Sequence, residues 1–247
     1  MSIYYLFYVI GFTAIIILDL LMAPKYNFKR SIAFVHIVLC CITDYLLMLL
    51  LYYIINGSFG GQNMVRLFVF IPLVNYLFGR ILNMQIDKLM DFIAPLSPIL
   101  LGFAKIGCLL SGCCRSWIQV DWGIYNHYTK TMLFPVQLFE AITAFLIALI
   151  VWLVARKNNY NAKGRTMPLM LFLFGITRFA WEFFRDNTKL FLGISELAIW
   201  ALASAIMGGV WFVWSVYHEE DFEEKQNEPY YYPVEGEEIC PEEKTTL

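Results

Sequence analysis

Charge is what this chain has least of. Only 15% of its 247 residues are charged, against 60% hydrophobic and 17% aromatic, whereas an ordinary soluble domain carries roughly 25% charged residues. The deficit excludes a conventional water-soluble globule. Histidine is scarce, with His36, His127 and His218 far apart in the sequence, so a histidine-rich metal centre is not expected. The chain shows neither an internal repeat nor paired broken apolar segments, on which many solute transporters are built. No basic patch or motif points to a nucleic-acid partner.

What the chain does have is long apolar runs. A membrane span needs about 20 mostly apolar residues, and seven windows satisfy or approach that length, near 3–23, 32–55, 67–82, 92–111, 135–155, 167–183 and 194–216. The expected fold is therefore an all-α integral membrane protein of about seven transmembrane helices. The first window lacks a basic start and a small-residue cleavage site and carries Asp19 near its end, so it is expected to stay in the membrane rather than be removed as a signal peptide. Lysine and arginine collect in cytoplasmic loops. Lys25, Lys29 and Arg30 follow the first window, Arg80 and Lys88 flank the third loop, and Arg156, Lys157, Lys163 and Arg165 crowd the fifth. That bias places the N-terminus outside and the C-terminus inside.

Residues 219–247 differ sharply. They hold eleven of the twenty acidic residues, opposed only by Lys225 and Lys244, a composition that cannot bury enough surface to offset chain entropy. The expected division is a transmembrane domain over 1–218 and an acidic, disordered cytoplasmic tail over 219–247. The overall charge of −2 conceals the split, because the first 218 residues carry sixteen basic and nine acidic side chains.

Ionisable residues inside apolar windows call for a physical reason, because each costs at least a few kcal/mol there. Arg178, Glu182 and Arg185 recur at helical spacing and are expected on one helix face. Two readings follow: a self-satisfied ladder of ion pairs, or an anion site that uses the planar, multi-donor guanidinium geometry for a phosphate. Lys105 lies in another apolar window and either snorkels outward or joins Arg178. Gly102, Gly107, Ser111 and Gly112 keep that segment slim enough for close approach by a neighbour. Gln137 and Glu140 share a face at the start of the fifth window, where Pro135 opens a helix. Cys40 and Cys41 read as small buried hydrophobes. Cys108, Cys113 and Cys114 cluster without a histidine or fourth cysteine at ligand spacing, so no metal site is expected; small-residue packing is the first reading and a disulfide the alternative. No cofactor is implied.

The order of three segments resembles the prolipoprotein diacylglyceryl transferase family of bacterial inner membranes. Asp91 to Cys114 is similar to that family's Asp-Phe-Ile-Ala-Pro segment leading into its Gly-Arg-x-Gly-Asn signature, Phe134 to Glu140 to its His-Pro-x-Gln-Leu-Tyr-Glu motif, and Leu173 to Arg185 to its Tyr-Gly-x-x-Arg-x-x-x-Glu-Phe-x-Arg motif. A weaker echo lies in Tyr4 to Phe12. The resemblance implies a multi-pass protein of the bacterial plasma membrane that moves the diacylglyceryl group of phosphatidylglycerol to the lipobox cysteine of a preprolipoprotein signal peptide. It implies catalytic roles for Lys105, Arg178 and Glu182, and substrate binding by Arg185, Gln137, Glu140, Tyr4, Gly60, Gly61 and Cys108. The alternative is a non-catalytic phospholipid-binding or lipoprotein-handling protein on the same scaffold. Lys105 stands where the family has arginine, Cys108 where it has asparagine and Cys113 where it has glutamate. The outer loop Ser58-Phe59-Gly60-Gly61 lacks the family's histidine, and Phe134, Phe139 and Phe174 replace His, Tyr and Tyr. His127, in the loop after Asn126, is the remaining candidate base, with an exposed, solvated ring as the other reading.

Overall fold

A computed structural model describes residues 2–57, 64–187, 189–191 and 194–217. Among the described residues eight α-helices carry the fold: α1 Ser2–Met22, α2 Arg30–Asn56, α3 Met64–Ile81, α4 Ile86–Ile93, α5 Leu96–Ser111, α6 Val136–Lys157, α7 Thr166–Glu182 and α8 Glu196–Tyr217. A 3-10 turn over Ala23–Tyr26 links α1 to α2. Two small antiparallel hairpins complete the described structure, β1 Gln119–Asn126 with β2 Thr131–Leu133, and β3 Lys189–Phe191 with β4 Ile194–Ser195. All seven apolar windows fall on helices. Among the described residues, five helical stretches are long and apolar enough to cross a membrane: Ile3–Tyr26, Arg30–Ile55, Ile86–Ser111, Val136–Lys157 and Glu196–Tyr217.

The fourth window differs in detail from the expectation, because it is not one continuous helix. Pro95 stands between α4 and α5, where it has no backbone N–H to continue the hydrogen-bond ladder of α4. Pro98 falls in the first turn of α5, where its missing N–H costs nothing. The seventeen-residue α7 stops at Glu182, so Arg185 lies in the turn beyond and not on the helix itself. The acidic segment 219–247, like Gly60 and Gly61, lies outside the described residues.

Small residues set the closest helix contacts. An added Cβ at Gly175 of α7 would lie 2.4 Å from the Ala205 nitrogen and 2.6 Å from the Ala201 carbonyl oxygen of α8, and one at Gly208 of α8 would lie 2.4 Å from the Phe172 nitrogen. The same device joins α1 to α5, where a Cβ at Gly107 would meet the Tyr4 carbonyl at 3.1 Å. Lipid offers no hydrophobic drive for helix association, so such backbone approach supplies van der Waals contact in its place. Gly175→Leu is accordingly expected to lower the unfolding free energy by about 3 kcal/mol, the upper end of the range for overpacking. A thermal melt of the detergent-solubilised variant that matched the native protein would contradict this packing.

Two polar ties hold the bundle where sequence gave little warning. Asp91 of α4 is 1% exposed, and its carboxylate accepts hydrogen bonds from Gly164 N at 2.9 Å, Thr166 N at 3.0 Å and Thr166 Oγ1 at 2.7 Å. It thereby satisfies donors at the start of α7 that no intrahelical carbonyl reaches. Arg66 of α3 donates through Nε and Nη2 to Glu196 of α8, each at 2.8 Å, and Trp200 Nε1 donates to the same carboxylate at 3.0 Å.

Candidate active site

The intramembrane charges meet around one carboxylate. Glu140, in the second turn of α6 and 4% exposed, receives Lys105 Nζ of α5 at 2.7 Å, Arg178 Nη1 of α7 at 2.9 Å and Arg185 Nη1 at 3.2 Å. Arg178 also pairs with Glu182 one helical turn away, while Arg185 Nε stands 3.9 Å from Glu182. Lys105 is 7% exposed and ion-paired, so it does not snorkel. Three cations share two carboxylates, which leaves the buried network at +1. Glu140, assigned from the resemblance only to substrate binding, is the geometric hub.

Glu182 is fixed from a second direction. Ser195 Oγ donates to Glu182 Oε1 at 2.7 Å and accepts from Ala198 N at 3.2 Å, so a serine that caps α8 also orients the carboxylate. Asn187 Nδ2 donates to the same oxygen. Neither partner was identified from the sequence, although a serine immediately ahead of an apolar run is a readable helix-start signal. Arg185 is held outside α7 by an antiparallel bridge to Ser116. Ser116 Oγ donates to Phe184 O at 2.5 Å, Trp117 Nε1 to Phe183 O at 3.0 Å, and Asp186 N to Arg115 O at 3.1 Å. The segment after α5 therefore clamps the end of α7 and returns Arg185 to Glu140. Burial works against the Arg185 charge, but the Glu140 carboxylate, followed by Cys114 and Glu182, outweighs it and holds the guanidinium above its usual range.

Gln137 points elsewhere than toward the cations. Its Nε2 donates to Cys113 O at 2.7 Å, fixing the turn that follows α5. That turn begins at Gly112, whose φ of +71° is a left-handed helix cap readily adopted by glycine, and Asn126 Nδ2 donates to its carbonyl at 3.0 Å. Cys114 also adopts a left-handed backbone, φ 55°, and the chain doubles back so that the sulfurs of Cys108, Cys113 and Cys114 all lie within 4.8 Å of one another. The cysteines at 108, 113 and 114 are free thiols. Hydrogen bonds from Cys108 and Cys113, then the Lys105 and Arg185 charges, hold the Cys114 thiol well below the ordinary cysteine range. Tyr4 lies on the α1 face that packs against Gly107, the neighbour of Cys108. His127 is exposed, its ring edge-on to Tyr125 at 5.3 Å, away from the cation network.

Two kinds of cavity border the network. A small pocket is lined by Lys105, Glu140, Arg178, Thr177 and Trp181 together with Leu101. Leu101 also lines a roomier, mostly apolar pocket between α1, α2, α3 and α5. The phenylalanines that stand in place of polar family residues form the aromatic border of the charged site. Phe134 stacks on Phe139 at 5.1 Å, Phe139 on Trp181 at 5.6 Å, and Phe174 stacks on Phe68 at 3.6 Å. A low-polarity wall of this kind strengthens every charge interaction inside it.

Comparison with known proteins agrees with the ordered motifs. Residues 1–215 match the family model described as prolipoprotein diacylglyceryl transferase. Similar curated proteins include phosphatidylglycerol–prolipoprotein diacylglyceryl transferase 2 of Clostridium perfringens, 29% identical over 129 residues that make up 50% of each chain. The corresponding transferase of Methylobacillus flagellatus is 27% identical over 62% of this chain and 60% of its own, and that of Pseudomonas entomophila is 28% identical over 65% and 63%. The matched regions thus span between half and just under two thirds of these three relatives' lengths. With the family model covering α1 to α7, all but the last two residues of α8 and every residue of the charge network, the chain belongs to the prolipoprotein diacylglyceryl transferase family.

Proposed function

We propose that the protein transfers the diacylglyceryl group of phosphatidylglycerol to the lipobox cysteine thiol of a preprolipoprotein signal peptide, as a seven-span protein of the bacterial plasma membrane with its N-terminus outside. The observation that carries this reading is the buried network with a residual charge of +1 beside a cavity. A phosphodiester headgroup brings one negative charge, which that excess matches. Arg178 and Arg185 hold the phosphate, Lys105 adds a point charge in place of a bidentate arginine, and Glu140 and Glu182 fix the three cations in orientation. The apolar cavity beyond Leu101 suits acyl chains, and the acidic segment 219–247 serves as a solvated cytoplasmic tail.

The chemistry asks little more than charge stabilisation and positioning. The peptide sulfur attacks the terminal glyceryl carbon of the diacylglyceryl group, the carbon–oxygen bond to phosphate breaks, and a thioether forms. The thiol proton leaves with the departing glycerol phosphate, so charge and atoms balance. Charge concentrates on the phosphate oxygens as that bond breaks, and pre-oriented arginine and lysine donors in a water-poor site stabilise it.

The aromatic substitutions at Phe134, Phe139 and Phe174 favour one second reading, a non-catalytic protein that binds phospholipid at the same network. The deciding experiment is transfer of labelled diacylglyceryl from phosphatidylglycerol vesicles to a lipobox peptide by the purified full-length protein. Turnover that is lost in Arg178→Ala and Lys105→Ala supports the transferase. Phospholipid binding that depends on Arg178, without turnover in the native protein, would replace it by the binding reading.

A further inference from the structure

We infer that Cys108, Cys113 and Cys114 form a three-thiolate binding site for a soft monovalent metal ion of the Cu(I) class. The motif Cys-x-x-x-x-Cys-Cys looks incomplete in sequence because a structural zinc site takes four protein ligands. Folding changes the question, since the left-handed turns at Gly112 and Cys114 bring all three sulfurs within 4.8 Å of one another. Three sulfurs around one ion at about 2.3 Å would stand about 4 Å apart, so a small closure completes the triangle. Soft thiolate ligands favour Cu(I), zinc and iron–sulfur clusters, and of these Cu(I) accepts three-coordination without a fourth ligand.

The cluster is built into the fold rather than scattered on a surface. Cys108 is buried in the last turns of α5, whereas Cys113 and Cys114 are exposed and give an ion its route in. Gln137 holds the Cys113 carbonyl, Asn126 holds the Gly112 carbonyl, and Ser111 Oγ donates to Cys113 Sγ at 3.3 Å. These supporting bonds fix the ligand loop as outer-shell partners do at metal sites. A bound ion would tie the 112–118 segment to α5, and through the Ser116 bridge to Arg185, next to the anion site.

Cu(I) titrated anaerobically against bicinchoninate, with full-length protein in detergent and a reductant present, tests the site directly. The expected result is capture of one Cu(I) per chain, unchanged in Cys240→Ser. Cys113→Ser and Cys114→Ser, which alter exposed side chains, should each weaken capture by about 100-fold, roughly the contribution of one thiolate to a structural metal site. Failure to capture Cu(I), capture that persists undiminished in either variant, or a disulfide among the three cysteines in anaerobically purified protein would each overturn the assignment. The readout is metal rather than lipid transfer, so it stands or falls independently of the transferase reading.

Discussion

Glu140→Gln is expected to cost the protein about 3–5 kcal/mol of stability, the usual consequence of removing one partner from a buried charge cluster, and to abolish transfer. The side chain keeps its shape, so packing on α6 is preserved and the effect isolates the charge. Lys105, Arg178 and Arg185 all lose the carboxylate that they share at 2.7, 2.9 and 3.2 Å. Only Glu182 remains, and the network rises from +1 to +2 in a site whose members are at most 7% exposed. The loss should appear as a lower midpoint in thermal unfolding in nanodiscs, together with loss of labelled diacylglyceryl transfer. A native midpoint for Glu140→Gln would show that the three cations are held by something other than this hub.

The convergence of Lys105, Glu140, Arg178 and Glu182 was readable in the sequence because helical spacing and apolar window boundaries both constrain depth. Each lies within a regular helix whose position the hydropathy fixes to within a few residues. Arg185 was harder. Spacing placed it on the same face as Arg178, but α7 ends at Glu182, and its approach to Glu140 depends on a backbone bridge to Ser116 sixty-nine positions earlier. Long-range backbone pairing leaves no periodic trace. The same limit hid the Asp91 bonds to Gly164 and Thr166, because an acid in an apolar helix reads alike whether it serves a substrate or caps a distant helix. The convergence of the three sulfurs in the Cys108, Cys113 and Cys114 cluster is hard to read from sequence for a conformational reason. A left-handed residue is expected at Gly112, whereas Cys114 adopts one without the glycine that would announce it.

Arg178→Ala should have the opposite balance of effects, which makes it the sharpest test of function against structure. Removing a cation leaves Lys105 and Arg185 facing Glu140 and Glu182, two charges of each sign, so the buried network becomes neutral. The stability loss should therefore be smaller than for Glu140→Gln, even though a large side chain is truncated. Transfer should still fall by about 100- to 1,000-fold, the range seen when one donor to a developing oxyanion is removed. Arg178→Lys, which keeps charge but not the planar fork, should fall between the two in turnover and retain lipid binding. Measuring transfer and unfolding midpoint on the same preparations separates the two readings of the network. If Arg178→Ala transfers at the native rate, the arginine serves only to neutralise Glu140 and Glu182, and the ladder of ion pairs is structural; a collapse of turnover with a nearly native midpoint means that the +1 excess is there for the phosphate.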